Sequence, residues 1–453
     1  MLLALWLCVP VVFTAAWYKL TGGAVLRHVA TLHFVVYFVA IYVGSYSLFV
    51  ENGEREEVFI WSVMAYPILA LAGTVVAQAY FPTTGFCLRL GDLRTSAAER
   101  QLVYALSAFF AILLLIYVAI LGYETPLYVL ITQGPIEAEL ARYAATKGYK
   151  EAFGEVGLIV NLSRVFTDYF ALFLLVFEYC RSRCGETPHR RVWLIALPLA
   201  VAAVLFGERY PIIKLIVYFA LAVIALKHRR LGVRLVAWML LLAAVVVPLV
   251  GLVHATMNLH FELLAVLDLW PLLVWSWEVF ADRIFFGQVS GLYHTFALVP
   301  DVHDFFWGRT LSNPRDLFPY EQVQLPFLVS DSHAESVLGV QGSDPTVFFG
   351  EVYANFGIAG MLASMVAAGF LMQWLNATVA RRVDRTRSTY FVALHFMAMV
   401  YVADFAISFS ALYFDYRLYV LMFLLFLPNM LALRTSEKAL AVRGNGATTE
   451  LSR

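Results

Sequence analysis

The chain has 453 residues, of which 61% are hydrophobic and 14% charged, and its mean hydropathy is +0.75. Soluble domains average about 45–50% apolar and about 25% charged residues, so this composition excludes an ordinary soluble multidomain protein. The formal net charge is zero. The basic residues lie at the ends of apolar segments, which argues against a protein that binds nucleic acid.

Eleven apolar segments follow one another along the chain, and most are close to the roughly 20 residues that cross a bilayer. They are 2–18, 29–50, 58–80, 101–122, 158–179, 192–206, 211–226, 235–253, 346–375, 389–412 and 414–433. The segments 192–206 and 211–226 are short and could form one buried hairpin, but the charge pattern requires both to cross. We therefore predict one all-α polytopic membrane domain, 1–453, with about 11 transmembrane helices.

Every second gap between these segments is rich in arginine and lysine, beginning with Lys19 and Arg27 and ending in the tail 434–453. Because basic loops stay in the cytoplasm, this alternation predicts an outside N-terminus and a cytoplasmic tail. No basic residue precedes the first apolar run, unlike in a secretory signal peptide, so we expect an uncleaved span there.

The longest outward gap, 254–345, mixes aromatic, acidic and basic residues. Loops of this length usually have a function, so this gap is where chemistry is expected. A second outward gap contains an amphipathic stretch that begins at Pro135 and is expected to lie as a helix on the membrane surface. The chain has no Walker-type phosphate loop and no dinucleotide fingerprint, and its outward gaps hold no cysteine. We expect no nucleotide cofactor and no metal.

Two cations flank the start of the seventh segment. Arg209 lies in the outward turn before it, and Lys214 lies about one helical turn inside it. Charge within a membrane segment is costly and commonly functional, so these residues could bring two cations to one outer cavity. The alternative is a pair of side chains that extend from a helix end to the interface.

Two further outward cations, Arg283 and Arg309, lie in the long gap. Arg283 is flanked by apolar residues in the string ADRIFF, and a partly buried guanidinium group favours a carboxylate or phosphate partner. The alternative for Arg283 is a structural ion pair with Asp282 or Glu278. Arg309 follows Gly308 and could serve as an additional cation.

Several polar residues are candidates for proton transfer or support. Glu351 and Asn355 are four residues apart and therefore share a face at the outer end of a predicted helix. Glu351 is a candidate base, and so is His333, although a loop histidine is commonly only solvated. Asp404 lies inside an apolar segment, where an acid is a functional candidate, although Arg417 could simply pair with it. The glycines around Glu351, which are Gly350, Gly357 and Gly360, are expected to serve close helix packing.

The stretch from Arg283 to about Gln373 resembles the O-antigen polymerases (Wzy-type), which join oligosaccharide repeat units. The likeness lies in the strings ADRIFFGQVSGLYHTFALVPD, FFWGRTL and SDPTVFFGEVYANFGIAGMLASMVAAGFL. Their order is similar to that in the family: an outward arginine, an aromatic stretch ending in proline, a Gly-Arg step, and a Gly-Glu and Asn-Phe-Gly entry into a span. The upstream string GERYP, which contains Arg209, resembles the family's other outward arginine.

The resemblance implies a GT-C-like membrane glycosyltransferase of the bacterial inner membrane. Such enzymes polymerise undecaprenyl-diphosphate-linked repeat units on the outer face, as in O-antigen, exopolysaccharide or capsule synthesis. Donor and acceptor are both lipid-linked, a chain-length regulator is among the partners suggested, and no nucleic acid takes part. We expect the diphosphate to be bound by Arg209, Lys214, Arg283 and Arg309, with Glu351 or His333 as base and Asn355 and Asp404 in support.

Other functions remain open. An O-antigen ligase would use the same outward cations and differ in its acceptor. A lipid-linked oligosaccharide flippase would be a transporter with a charged central cavity, and a non-catalytic scaffold would not need buried outward arginines. These alternatives predict different glycans in a deletion strain.

Overall fold

The computed structural model describes residues 2–54, 56–86, 89–146, 157–206, 210–228, 274, 277–278, 281–311, 313, 319–333, 344–407 and 418–428. Within this part of the chain the regular structure is helical, and one isolated β-bridge joins Arg94 to Ser388. The predicted all-α class is confirmed.

The helices are numbered in chain order. They are α1 (Leu2–Leu20), α2 (Thr31–Glu51), α3 (Glu57–Tyr80), α4 (Ala97–Leu121), α5 (Pro126–Thr132), α6 (Pro135–Thr146), α7 (Gly157–Arg183), α8 (Arg190–Leu205), α9 (Tyr210–Lys227), α10 (Gly287–Leu298), α11 (Leu325–His333), α12 (Phe348–Thr386), α13 (Thr389–Phe405) and α14 (Leu418–Pro428). A π-turn, Phe38–Tyr42, interrupts α2, and a second π-turn, Asp282–Phe286, precedes α10. The expected helix after Pro135 is α6.

Five of the described helices are long and apolar enough to cross a membrane. They are α1, α2, α3, α12 and the stretch Ala97–Thr132 that begins with α4. The described parts of the predicted segments fall on helices, and the two short segments form the separate helices α8 and α9. The segment 235–253 and parts of 389–412 and 414–433 lie outside the described residues. The structure therefore shows a helical membrane protein, and the count of eleven crossings remains a prediction.

Helices α3 and α12 pack with their backbones in contact. A Cβ atom on Gly73 would overlap the carbonyl oxygen of Val366, and one on Gly369 would overlap that of Ala70. The hydroxyl of Thr74 donates a hydrogen bond to the carbonyl of Gly369 at 3.2 Å. Small residues allow membrane helices to approach this closely, so α12 is held firmly along α3.

Described parts of the basic gaps meet one another. The guanidinium group of Arg27 donates to the carbonyls of Ala225 and Leu226 at the end of α9, at 3.0 and 3.4 Å. The amide of Arg94 donates to the carbonyl of Arg387 at 2.8 Å. Such contacts are compatible with alternating crossings, because loops two crossings apart return to the same side. Which side is cytoplasmic remains a prediction.

Part of the long predicted loop, 254–345, is a helix packed into the core. Helix α10 places Leu292 where a Cβ atom on Gly350 of α12 would overlap it. The ring of Phe296 stacks on that of Tyr353 with 4.4 Å between centroids. Gly350 therefore serves close helix packing, as expected, and α10 fixes the start of α12.

Candidate functional site

Helix α12 is broken at Gly357, the glycine of the string ANFG. Its backbone has φ +67° and ψ −165°, a conformation that L-residues with side chains rarely adopt. We expected this glycine to serve helix packing, but its observed role is to break the helix. A break within a helix leaves carbonyl groups that need new partners, and discontinuous helices often line the binding sites of membrane proteins.

The segment 305–310 supplies those partners. The amide of Phe306 donates to the carbonyl of Ala354 at 2.9 Å, and the amide of Trp307 donates to that of Asn355 at 3.1 Å. Both carbonyls lie just before the break. The strings FFWGRTL and GEVYANFG, which are far apart in the chain, therefore fold as one unit.

The side chain of Asn355 holds the turn that follows. Its Oδ1 accepts hydrogen bonds from the amides of Gly308 at 2.7 Å and Thr310 at 3.5 Å. Its Nδ2 donates to the hydroxyl of Thr310 at 2.5 Å and to the carbonyl of Glu351 at 2.8 Å. Asn355 is fully buried, and its side chain connects the turn 307–310 to α12.

Glu351 lies beneath this turn and is 4% exposed. Its Oε1 accepts a hydrogen bond from the hydroxyl of Thr310 at 3.1 Å. Its Oε2 is buried and has no hydrogen-bond partner within the described part of the chain. Buried oxygens without a partner are rare, and catalytic groups are one recognised explanation for them.

Arg309 lies in the same turn, with its side chain exposed. Its carbonyl accepts a hydrogen bond from the amide of Val323 at 2.8 Å, which fixes the turn from the other side. The predicted cation Arg309 and the predicted base Glu351 therefore belong to one hydrogen-bonded unit, connected through Thr310.

Lys214 and Asp404 form a separate buried ion pair. The hydroxyl of Tyr169 donates to the same carboxylate oxygen at 2.5 Å, and the Lys214 ammonium lies 4.6 Å from the centroid of the Tyr169 ring. This arrangement corrects the expectation for Lys214. Lys214 is 4% exposed and its charge is neutralised by Asp404, so it does not present an open cation to an outer cavity. Asp404 has Lys214 as an ion-pair partner, and the pairing with Arg417 stays a prediction because Arg417 lies outside the described residues.

The side chains of three other predicted site residues, Arg209, Arg283 and His333, lie outside the described part of the structure. Arg209 lies outside the described residues. Arg283 and His333 belong to the second π-turn and to the end of α11, while their side chains lie outside the described part. The turn that carries Arg283 packs closely on α2, since a Cβ atom on Gly44 would overlap the carbonyl oxygen of Phe285.

Two hydroxyl groups in these clusters were not predicted. Thr310 links Glu351 to Asn355, and Tyr169 completes the environment of Asp404. The only sequence signal for Thr310 is its place after the Gly-Arg step, and Tyr169 is one of many aromatic residues in apolar segments.

No group of three His, Cys, Asp or Glu side chains that could hold a metal ion occurs among the described residues. No family model, curated protein or solved structure matches the chain.

Proposed function

We propose that this protein is a membrane glycosyltransferase that polymerises undecaprenyl-diphosphate-linked oligosaccharide repeat units on the outer face of the bacterial inner membrane. One observation carries the proposal. Two strings resemble the O-antigen polymerases, one containing Thr310 and the other containing Glu351, and they are hydrogen-bonded to each other. They enclose the buried carboxylate of Glu351 near a break in a membrane helix.

In the proposed reaction, a sugar hydroxyl of the acceptor attacks the anomeric carbon of the donor. A new carbon–oxygen bond forms, the bond from that carbon to the diphosphate oxygen breaks, and the lipid diphosphate leaves with the electron pair. A carboxylate such as Glu351 would take the hydroxyl proton. Because the hydroxyl of Thr310 covers Glu351, the Thr310 side chain would have to rotate away when the acceptor binds, while the backbone of the turn 307–310 stays in place. His333 remains the alternative base.

The leaving diphosphate needs positive charge that is already in position. Arg209, Arg283 and Arg309 are the proposed cations, since guanidinium groups can bind phosphate oxygens with two parallel hydrogen bonds. Replacing Arg209 or Arg283 by lysine keeps the charge and removes this geometry. Each replacement should lower the rate by roughly one to two decades, equivalent to about 1.5–3 kcal/mol, while the protein level is unchanged. Full activity in both variants would remove these arginines from the proposed site.

The decisive experiment is the analysis of glycans in a strain that lacks this protein. Mass spectrometry of the lipid-linked and surface glycans should find single repeat units in place of polymer. Wild-type protein should restore the polymer and Glu351→Gln should not. Glu321→Gln, which changes an exposed glutamate of the same region, should restore it like the wild type. Long chains that remain unattached would indicate a ligase instead.

A flippase is the second candidate, because a buried ion pair such as Lys214–Asp404 is a feature of ion-coupled transporters. That function predicts single repeat units trapped on the cytoplasmic leaflet. Protection of these lipids from a glycosidase added to intact spheroplasts would favour the transporter over the polymerase.

A further inference from the structure

We propose that the turn 307–310 is a saccharide-binding subsite, in which the ring of Trp307 stacks on a sugar and Arg309 binds its hydroxyl or acidic groups. The inference rests on the proposed function for the kind of glycan that would bind. It goes beyond that function by naming the residues that would hold the sugar.

The conformation of Trp307 is the first reason. Its φ of +53° lies in the left-handed region, which is unfavourable for a residue with a large side chain, and Gly308 follows with φ +93°. Such strain persists only where the surroundings enforce it, and it is concentrated at functional sites. Here the enforcing contacts are the hydrogen bonds from the amides of Trp307 and Gly308 to Asn355.

The result of this conformation is an indole ring that is 76% exposed. The ring of Phe356 is also exposed and lies close to Gly308, so two aromatic groups border the turn. The face of an indole ring carries partial negative charge. The axial C–H groups of a pyranose carry partial positive charge and stack on such a face, while the equatorial hydroxyls remain available to Arg309.

A lipid anchor is the competing explanation for an exposed tryptophan in a membrane protein. Two observations favour the saccharide. The same loop exposes charged side chains, Asp301 and Asp304 before Trp307 and Arg309 after it, so its surroundings are polar. The turn is also held rigidly, which a ring that only inserts among lipid headgroups does not require.

The helix α8 offers a matched control. Trp193 is 67% exposed and is followed by Leu194, which is equally open, in an apolar helix, so its ring is suited to contact lipid. Trp193 and Trp307 are two of ten tryptophans in the chain. The contribution of each to the fluorescence can be obtained by subtracting the spectrum of Trp193→Phe or Trp307→Phe from that of the wild type.

The test uses the full chain in lipid nanodiscs, with and without brominated phospholipid. Brominated lipid should quench the Trp193 signal and leave the Trp307 signal largely unchanged. Oligosaccharides released by partial acid hydrolysis from the surface polysaccharide of the source cells should then alter the Trp307 signal. Calorimetric titration with the same oligosaccharides should show about tenfold weaker binding for Trp307→Ala and for Arg309→Gln, as expected for a central aromatic or arginine contact.

Quenching of Trp307 as strong as that of Trp193 would identify a lipid anchor and overturn the proposal. Equal oligosaccharide binding by the wild type and Trp307→Ala, or no binding by the wild type, would overturn it as well. These outcomes are separate from the deletion-strain result. A strain that still polymerises its glycan would refute the polymerase, whereas oligosaccharide binding that depends on Trp307 would still establish the subsite.

Discussion

Replacing Asn355 by alanine should release the turn 307–310 from α12. The substitution removes the acceptor for the backbone amides of Gly308 and Thr310, whose nitrogens lie 2.7 and 3.5 Å from the side-chain oxygen. A buried polar group that loses its partner costs about 1–3 kcal/mol, so two such groups cost about 2–6 kcal/mol before the turn relaxes. Even the lower limit, about 2 kcal/mol, corresponds to about 30-fold easier local opening.

Hydrogen–deuterium exchange with mass spectrometry measures this opening directly. In Asn355→Ala the peptide that covers 305–311 should exchange about 30-fold faster or more, since the protection of Gly308 and Thr310 depends on the side chain. Asn376→Ala is the matched control, because Asn376 is another buried asparagine of α12 that accepts a hydrogen bond from the amide of Val29 at 3.1 Å. It should leave this peptide unchanged. Unchanged exchange of 305–311 in Asn355→Ala would refute the assignment of Asn355 as the residue that holds the turn.

The remaining predictions address packing, charge, metal and topology. Gly369→Ala should lower the thermal unfolding temperature in detergent, because its Cβ atom would overlap the carbonyl of Ala70 and overpacking costs about 1–3 kcal/mol. Gly91→Ala, at a position with open space, should not, and equal temperatures for the two variants would contradict the close contact. Lys214→Met should destabilise by about 3–5 kcal/mol by removing the buried ammonium group that compensates the charge of the Asp404 carboxylate. Adding Asp404→Asn should recover part of this loss, and strictly additive losses in the double variant would argue against the pair. Purified protein should elongate lipid-linked repeat units in EDTA without nucleotide sugar, and loss of activity that Mn²⁺ restores would reject the cationic mechanism. A phosphatase reporter fused to the C-terminus should be inactive, and an active fusion would place that terminus outside.

Helix positions could be predicted because the apolar segments are long and the charges between them alternate. The segments 29–50 and 58–80 coincide closely with α2 and α3, since a bilayer leaves the backbone little choice but a helix. The region 254–345 was less predictable. Its helix α10 is short, and its burial against Gly350 depends on residues distant in sequence.

The residues of the candidate site could be predicted from the sequence, but the contacts between them could not. Glu351 and Asn355 could be placed on one face, because residues four apart always share a helix face. Their connection to Thr310 and Arg309 could not be predicted, since it depends on a break at Gly357 that frees two carbonyls for a distant loop. A glycine in a membrane helix has the same sequence signature whether it packs or breaks the helix.

The sequence by itself determined the membrane class, the helical secondary structure and the set of polar residues worth considering. These follow from local physical chemistry, because transfer of apolar segments to lipid and the hydrogen-bonding needs of the backbone depend on neighbouring residues alone. Only the tertiary structure decided which polar residues meet. It paired Lys214 with Asp404 and placed Glu351 under Thr310. Partners for buried charges and carbonyls are chosen by the packing of helices that are distant in the chain, which no local pattern encodes.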